Sequence, residues 1–258
     1  MTDDYTEFIN NVKNRLSIDL TMYKQTQMKR RLISLRDKRG YSTFRQYFFA
    51  MNRDNLLLNE FLDHMTINVS EFFRNPDRWE VLKTSILPRL GAASNKLKIW
   101  SAACSTGEEP YSTAIMLKEF FPNYDFHILA TDIDRSALEK ARQGVYTERS
   151  VKGIPDKLIY KYFKQDENLY SVDQSVKQHV VFKKHDLLAD TYPSNIDLII
   201  CRNVLIYFTD DAKAAIYTKF SHSLNQHGVI FIGSTEQIFK PDNYGLRLLD
   251  TFFYQRIT

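Results

Sequence analysis

The feature that most constrains this 258-residue chain is a change of hydrophobic rhythm near Gly91. From residue 5 to about 90 apolar residues recur at spacings of three and four, as in Phe8, Ile9, Val12 and Leu16, then Met28, Leu32 and Leu35, then Leu57, Leu58, Phe61, Leu62 and Met65. That is the period of helices with one buried stripe. Gly40 stands where a helix would end, new helices start at Ser42 and near Asp54, and Asn75-Pro76 reads as a cap opening a helix that runs toward Pro88. After Gly91 the chain turns to short apolar runs at 97–103, 127–131, 180–184, 196–201, 229–232 and 252–257, separated by helical stretches. Such alternation is expected of a parallel sheet with helices on both faces. The reading is therefore a doubly wound, Rossmann-like α/β domain over 76–258, preceded by a small all-helical domain over 1–75. A polar insertion at about 144–178 interrupts the repeat, and within it 169–172, a turn at 173–175 and the residues from Val176 onward resemble a small β hairpin.

Composition narrows the class. Only 8 Gly and 7 Pro occur, about half the usual share, which excludes long flexible linkers and collagen-like segments. Apolar residues at 43% and charged residues at 26% fit an ordered globular protein. No window approaches eighteen apolar residues, so no membrane insertion is expected. The first residues are acidic where a secretory signal needs positive charge, and a cytoplasmic location is the expectation. Cys104 and Cys201 are too few for a disulfide framework or a structural zinc site, and the six histidines show no metal-ligand spacing. No metal is predicted.

In open α/β sheets ligands lie beyond the carboxyl ends of the strands, so the residues following each apolar run carry the functional argument. After the first run comes the small-residue turn 101–107 and then the pair Glu108-Glu109 at a helix start. The turn lacks G-x-G-x-x-G. Two carboxylates at a helix N-terminus repel a pyrophosphate and suit a cationic ligand, which favours S-adenosylmethionine over a dinucleotide; they also complement the helix dipole. The second run ends at Asp132, about 25 residues on, where an acidic residue meets ribose hydroxyls in nucleoside-binding folds. Asp134 is a helix cap or a second candidate for the same contact. Asp186 and Leu187 follow the third run, as acceptor and apolar partner for an adenine ring. Arg202-Asn203 follow the fourth, without the Asp/Asn-Pro-Pro-aromatic turn of the N-methyltransferases that act on nucleic-acid amino groups.

The segments Ile99-Trp100-Ser101-Ala102-Ala103-Cys104-Ser105-Thr106-Gly107-Glu108-Glu109-Pro110-Tyr111-Ser112, Ala130-Thr131-Asp132-Ile133-Asp134 and Cys201-Arg202-Asn203-Val204-Leu205-Ile206-Tyr207-Phe208 resemble the chemotaxis receptor methyltransferases, the CheR family. So do Thr66-Ile67-Asn68-Val69-Ser70-Glu71-Phe72-Phe73-Arg74 and Gly233-Ser234-Thr235-Glu236. The resemblance implies a class I methyltransferase sheet that uses S-adenosylmethionine to esterify glutamate side chains on the cytoplasmic helical domain of methyl-accepting chemoreceptors. By the same resemblance Asn68, Ser70, Arg74, Glu108 or Glu109, Asp132, Asp186, Leu187, Arg202 and Asn203 surround the cofactor, and Arg74 and Tyr207 stand near the transferred methyl. Ser70 replaces a threonine common in the family and keeps the hydroxyl. The insertion corresponds to a β-subdomain that docks a receptor tail in some members.

Charge supplies a partner for this chemistry. Between Lys24 and Arg39 seven basic residues face one acid, a local excess larger than the +4 of the whole chain. Lys29, Arg30, Arg31 and Arg36 on this helix are the expected docking residues for an acidic receptor helix. The stripe lacks the interleaved aromatics of a single-strand nucleic-acid platform, so no nucleic acid partner is expected, and the protein is read as a monomer. Two other readings remain open at this level: an inactive signalling adapter that binds cofactor or receptor, and an RNA methyltransferase using the basic helix.

Overall fold

The structure, a computed structural model, describes residues 3–66 and 70–257. They fall into two compact units, one holding residues 3–66 with Ile206–Ala215 and the other residues 70–205 with 216–257.

The first unit is built from α1 (Asp4–Leu16), α2 (Gln25–Lys38), α3 (Phe44–Met51) and α4 (Asn55–Met65). Its core gathers the stripes anticipated from spacing: Phe8 meets the rings of Phe44, Phe48 and Phe61, and Met28, Leu32 and Leu35 turn the apolar side of α2 inward. Side-chain caps open two of the helices. The Thr43 hydroxyl accepts from Gln46 N at 3.2 Å and Asp54 Oδ1 from Leu56 N at 2.8 Å, each satisfying a donor with no partner inside its helix. The late segment that joins this unit pairs by backbone: Lys24 N donates to Tyr207 O at 2.8 Å and Thr209 N to Met22 O at 2.9 Å, with the Tyr23 and Phe208 rings 4.9 Å apart.

The second unit opens with α5 (Pro76–Val81), a single π turn over Leu82–Ile86, and α6 (Leu87–Ala93). Two local expectations are corrected here. Asn75 makes no side-chain cap, because its amide oxygen accepts from Arg202 instead. Nor does the helix stop at Pro88: the backbone stays helical from Pro76 to Ala93, with the single π turn lying directly before the proline-containing segment. Then follow β1 (Lys96–Ala102), α7 (Glu108–Phe120), β2 (Asp125–Asp132), α8 (Arg135–Gln143), β3 (Val145–Thr147), α9 (Glu148–Val151), α10 (Asp156–Tyr162), β4 (Phe163–Asp166), β5 (Leu169–Val172), α11 (Gln174–Lys177), β6 (Val180–Lys184), β7 (Ile196–Cys201), α12 (Asp210–Ser223, whose residues up to Ala215 belong to the first unit), β8 (Leu224–Ile232), β9 (Leu246–Asp250) and β10 (Phe253–Arg256).

Seven strands form one twisted sheet in the order β6-β2-β1-β7-β8-β10-β9, parallel up to β8 and antiparallel at β10 and β9. All six apolar runs are strands of it. The seventh, β9, has no run to announce it because it is the outer edge and most of its side chains remain accessible. The insertion is a separate sheet of order β3-β5-β4. Its hairpin is β4–β5, turning at Glu167 with φ +49°, one strand earlier than the sequence suggested. The later segment is helical because Asp173 Oδ1 accepts from Ser175 N at 2.9 Å and starts α11.

Candidate active site

The sheet reverses its winding at β1, which has β2 on one side and β7 on the other, so the crevice lies beyond the carboxyl end of β1. The loop there holds three left-handed residues: Ala103 (φ +63°), Ser105 (φ +48°) and Gly107 (φ +95°). Only glycine fits the last, since a Cβ would stand 2.9 Å from the Ala141 methyl and 3.0 Å from the Tyr146 hydroxyl oxygen. Cys104 N donates to Thr131 O at 2.9 Å, Ser105 N to Asp132 Oδ2 at 2.8 Å, and Tyr146 OH to Thr106 O at 2.7 Å. The loop is therefore fixed to the end of β2. Asp132 also accepts from Asp134 N at 2.9 Å; burial pushes its carboxyl up to about 6 while these N–H donors pull against that rise. Asp134 takes the capping role, accepting from Ala137 N at 3.1 Å at the start of α8.

The two glutamates of α7 have different surroundings. Glu108 is 4% exposed, accepts from Thr106 Oγ1 at 2.7 Å and is hydrogen-bonded by the Ser70 hydroxyl, so two expected cofactor residues meet. Burial raises its pKa. Glu109 keeps some accessible surface and accepts from Ser101 Oγ at 2.8 Å. Surrounding protein nevertheless raises it to about 7, opposed by Arg202 and reinforced by Glu236. After β6, Asp186 Oδ1 accepts from Leu188 N at 2.8 Å in a tight turn, and Leu187 is buried behind it. Burial raises the pKa of Asp186 as well.

Arg202, just past β7, is 7% exposed. It donates to Arg74 O at 2.7 Å and to Asn75 Oδ1 at 2.9 Å, and its guanidinium lies 4.6 Å from the Phe231 ring centre and 5.7 Å from that of Trp79. Its Nε is buried without an acceptor among the described residues. Asn203 follows in the left-handed region at φ +61°. Arg74 is half-buried, and its carbonyl also accepts from Trp79 Nε1 at 2.9 Å. Asn68 lies outside the described residues. Glu236, which sequence reasoning noted only as the end of a motif, accepts from three backbone N–H groups at the ends of β7 and β8.

These groups fit S-adenosylmethionine. Glu108, Glu109 and Asp132 suit an ammonium, a sulfonium and ribose hydroxyls, and would repel a pyrophosphate. The unsatisfied Nε of Arg202 is a buried cationic donor of the kind that an amino acid carboxylate satisfies.

In the helical unit a cavity of about 160 Å³ is bordered by Lys24, Arg30, Arg31 and Tyr207, with Tyr23, Gln27 and Met28 completing the wall. The four basic residues singled out on α2 are not alike. Arg31 donates to the carbonyls of His64, Met65 and Thr66, capping the C-terminus of α4, and burial lowers its pKa against the pull of Tyr207. Lys29 pairs with Asp3 at 2.9 Å and lies over the Tyr5 ring. Arg36 pairs with Asp37 at 2.7 Å and lies over Phe44. Arg30 is exposed.

A doubly wound sheet whose switch-point loop carries carboxylates in place of a glycine-rich phosphate cradle defines an S-adenosylmethionine-dependent methyltransferase domain. The chain belongs to the CheR methyltransferase family: residues 68–251 match its SAM-binding domain and residues 3–66 its all-alpha domain. It is 46% identical to the chemotaxis protein methyltransferase of Listeria innocua over 97% of this chain and 96% of that one. Identity to the proteins of the same name is 35% in Borreliella burgdorferi, over 92% of this chain and 88% of the relative, and 32% in Escherichia coli, over 87% and 81%. S-adenosylmethionine is the cofactor of this domain. Among the described residues no helix is long and apolar enough to cross a membrane, and no group of three or more His, Cys, Asp or Glu is placed to hold a metal ion.

Proposed function

We propose that this protein is a protein-glutamate O-methyltransferase acting on the cytoplasmic helices of methyl-accepting chemoreceptors, which it meets as a cytoplasmic monomer recruited to receptor arrays. The observation that carries the acceptor is the cavity beside α2. Its polar wall is Lys24, Arg30, Arg31, the phenols of Tyr23 and Tyr207 and the Gln27 amide, with no carboxylate among the bordering residues, which is the lining that a carboxylate side chain selects. The relatives are named chemotaxis protein methyltransferases, which fits methyl transfer in chemotaxis.

The reaction asks little of acid–base groups. A glutamate side chain has a pKa near 4.3 and is ionised at neutral pH, so no general base is needed. The cofactor supplies a methyl group on a sulfonium; a carboxylate oxygen takes it as the sulfur leaves with the bonding pair, and no proton moves. What the chain contributes is placement and exclusion of water. Glu108, Glu109, Asp132 and Ser70 hold the cofactor's cationic and ribose groups, Asp186 and Leu187 its adenine, and Arg202 and Asn203 its carboxylate end. Tyr207 and Arg74 orient the acceptor by hydrogen bonding without taking a proton. The exposed Arg30, with the other basic residues of α2, steers the acidic receptor helix.

The test is incubation with labelled S-adenosylmethionine and receptor-containing membranes. Base-labile label on receptor is expected. Folded protein that binds the cofactor and labels no receptor would refute the proposal and leave a signalling adapter; base-stable label in RNA would reassign the acceptor.

A further inference from the structure

We infer that Glu236 is a positioning residue of the cofactor site, acting through the turn that carries Arg202 and Asn203. The parallel ladder between β7 and β8 ends at the pair Cys201 and Ile232. Beyond it the ladder supplies no further partners, and the next backbone donors need other acceptors. One side chain supplies them. Glu236 Oε2 accepts from Gly233 N at 2.7 Å and from Asn203 N at 3.0 Å, and Oε1 accepts from Leu205 N at 2.7 Å. At 5% exposure this carboxylate has almost no water to bond instead.

Three features make the arrangement specific to a glutamate. Asn203 is held at φ +61°, a conformation that asparagine tolerates better than most residues but that still persists only where the surrounding structure holds it. The bond to Asn203 N is made at that residue itself. Gly233 is open enough to admit the carboxylate, since a Cβ there would lie 2.6 Å from Glu236 Oε2 and 2.7 Å from Asn203 N. Finally, three N–H groups converge on two oxygens, which a carboxylate accepts with lone pairs to spare. Glutamine cannot match this in either orientation: its NH2 group would face Leu205 N, or else both Gly233 N and Asn203 N. The charge of Glu236 also acts on Arg202 and Glu109, so the same residue that shapes the turn balances its guanidinium.

The inference rests on the reading of Arg202 and Asn203 as cofactor contacts, and its test separates the two. Dissociation constants for S-adenosylhomocysteine, and the KM for S-adenosylmethionine against the KM for receptor membranes, are measured for Glu236→Gln, Glu236→Asp, Gly233→Ala and Asn203→Ala. Val151→Ala, in the insertion, is the control for general loss of stability. Both glutamate variants and Gly233→Ala should weaken cofactor product binding and raise the cofactor KM on the order of tenfold, because a buried donor loses its acceptor, while the receptor KM stays within about twofold. Val151→Ala should lower the melting temperature without that split. If Asn203→Ala costs affinity and the Glu236 variants do not, the positioning role is wrong. If Asn203→Ala is itself neutral, the cofactor reading of the turn falls and the inference with it. Failure of all three clamp variants to fold would assign Glu236 to domain stability alone and overturn the inference equally.

Discussion

The Asp132 carboxylate accepts the backbone N–H of Ser105 at 2.8 Å, tying the end of one strand to the left-handed loop that follows its neighbour. Its other oxygen accepts from Asp134 N, so both oxygens of the carboxylate hold backbone in place. With Asp132 read as a ribose contact, Asp132→Ala should weaken S-adenosylhomocysteine binding on the order of tenfold or more, because the loop geometry goes with it. Asp132→Asn should also weaken it, because an amide must turn NH2 toward one of two N–H donors. Calorimetry decides the matter, and unchanged affinity in both variants would remove Asp132 from the pocket.

If Glu109 holds the cofactor as proposed, cofactor binding should depend on pH. Its pKa is raised from 4.5 to about 7 by burial, with Arg202 and Arg74 opposing the rise and Glu236 adding to it. Between those two values the free folded protein holds a proton that the unfolded chain has released, so its contribution to stability shrinks as pH climbs through that window. A cationic ligand needs the ionised form. Affinity for S-adenosylmethionine should rise with pH toward about 7 and then level off, with a proton released on binding near pH 6. Calorimetry in buffers of different ionisation enthalpy reads that proton. Glu109→Gln should abolish the release, and a wild-type protein that releases none would contradict the assignment.

Tyr207 belongs to the helical unit, where its carbonyl accepts from Lys24 N and its side chain borders the cationic cavity. Tyr207→Phe keeps the ring and removes one hydroxyl. Cofactor affinity should stay within about twofold while kcat on receptor membranes falls on the order of tenfold, the worth of one hydrogen bond made to a charged group. The opposite pattern would move Tyr207 from the acceptor to the cofactor.

The arginines of the basic helix have different surroundings. Arg30 is exposed and free to meet an acidic partner, so Arg30→Glu should raise the KM for receptor membranes at low salt, by a factor that shrinks as salt is added, with no change in melting temperature. Arg31 instead satisfies three carbonyls at the end of α4. Arg31→Ala should cost about 1–3 kcal/mol and lower the melting temperature by several degrees. Equal behaviour of the two variants in both assays would reject this division.

The parallel core was legible because strands covered on both faces must be apolar throughout, as 97–103 and 196–201 are. The edge strand β9 was not, since every residue of Leu246–Asp250 after Leu246 keeps accessible surface and shows no two-residue alternation of burial. Asp132 was singled out by its position at the end of a strand, whereas a cofactor role for Arg202 was suggested only by the family resemblance. Glu236 was not assigned a role, because a glutamate in a polar loop has the same local signature whether it faces water or three buried donors. The pairing of Lys24 N with Tyr207 O joins residues far apart in sequence by backbone alone, and no side-chain pattern encodes it.

Gly107 offers a test of how tightly the cofactor loop is built. Its φ of +95° is strained for any residue with a side chain, and an added methyl would stand 2.9 Å from the Ala141 Cβ on α8. Neither neighbour yields easily, since Ala141 is buried on its helix and the Tyr146 hydroxyl holds Thr106 O. Gly107→Ala should cost roughly 1–3 kcal/mol from the backbone conformation alone, with the crowding in addition. Its apparent melting temperature should fall by several degrees, and cofactor affinity should fall too because Glu108 and Glu109 begin their helix at this residue. A variant as stable and as tight-binding as the wild type would mean that the loop can relax, and that its left-handed path is not what places the two carboxylates.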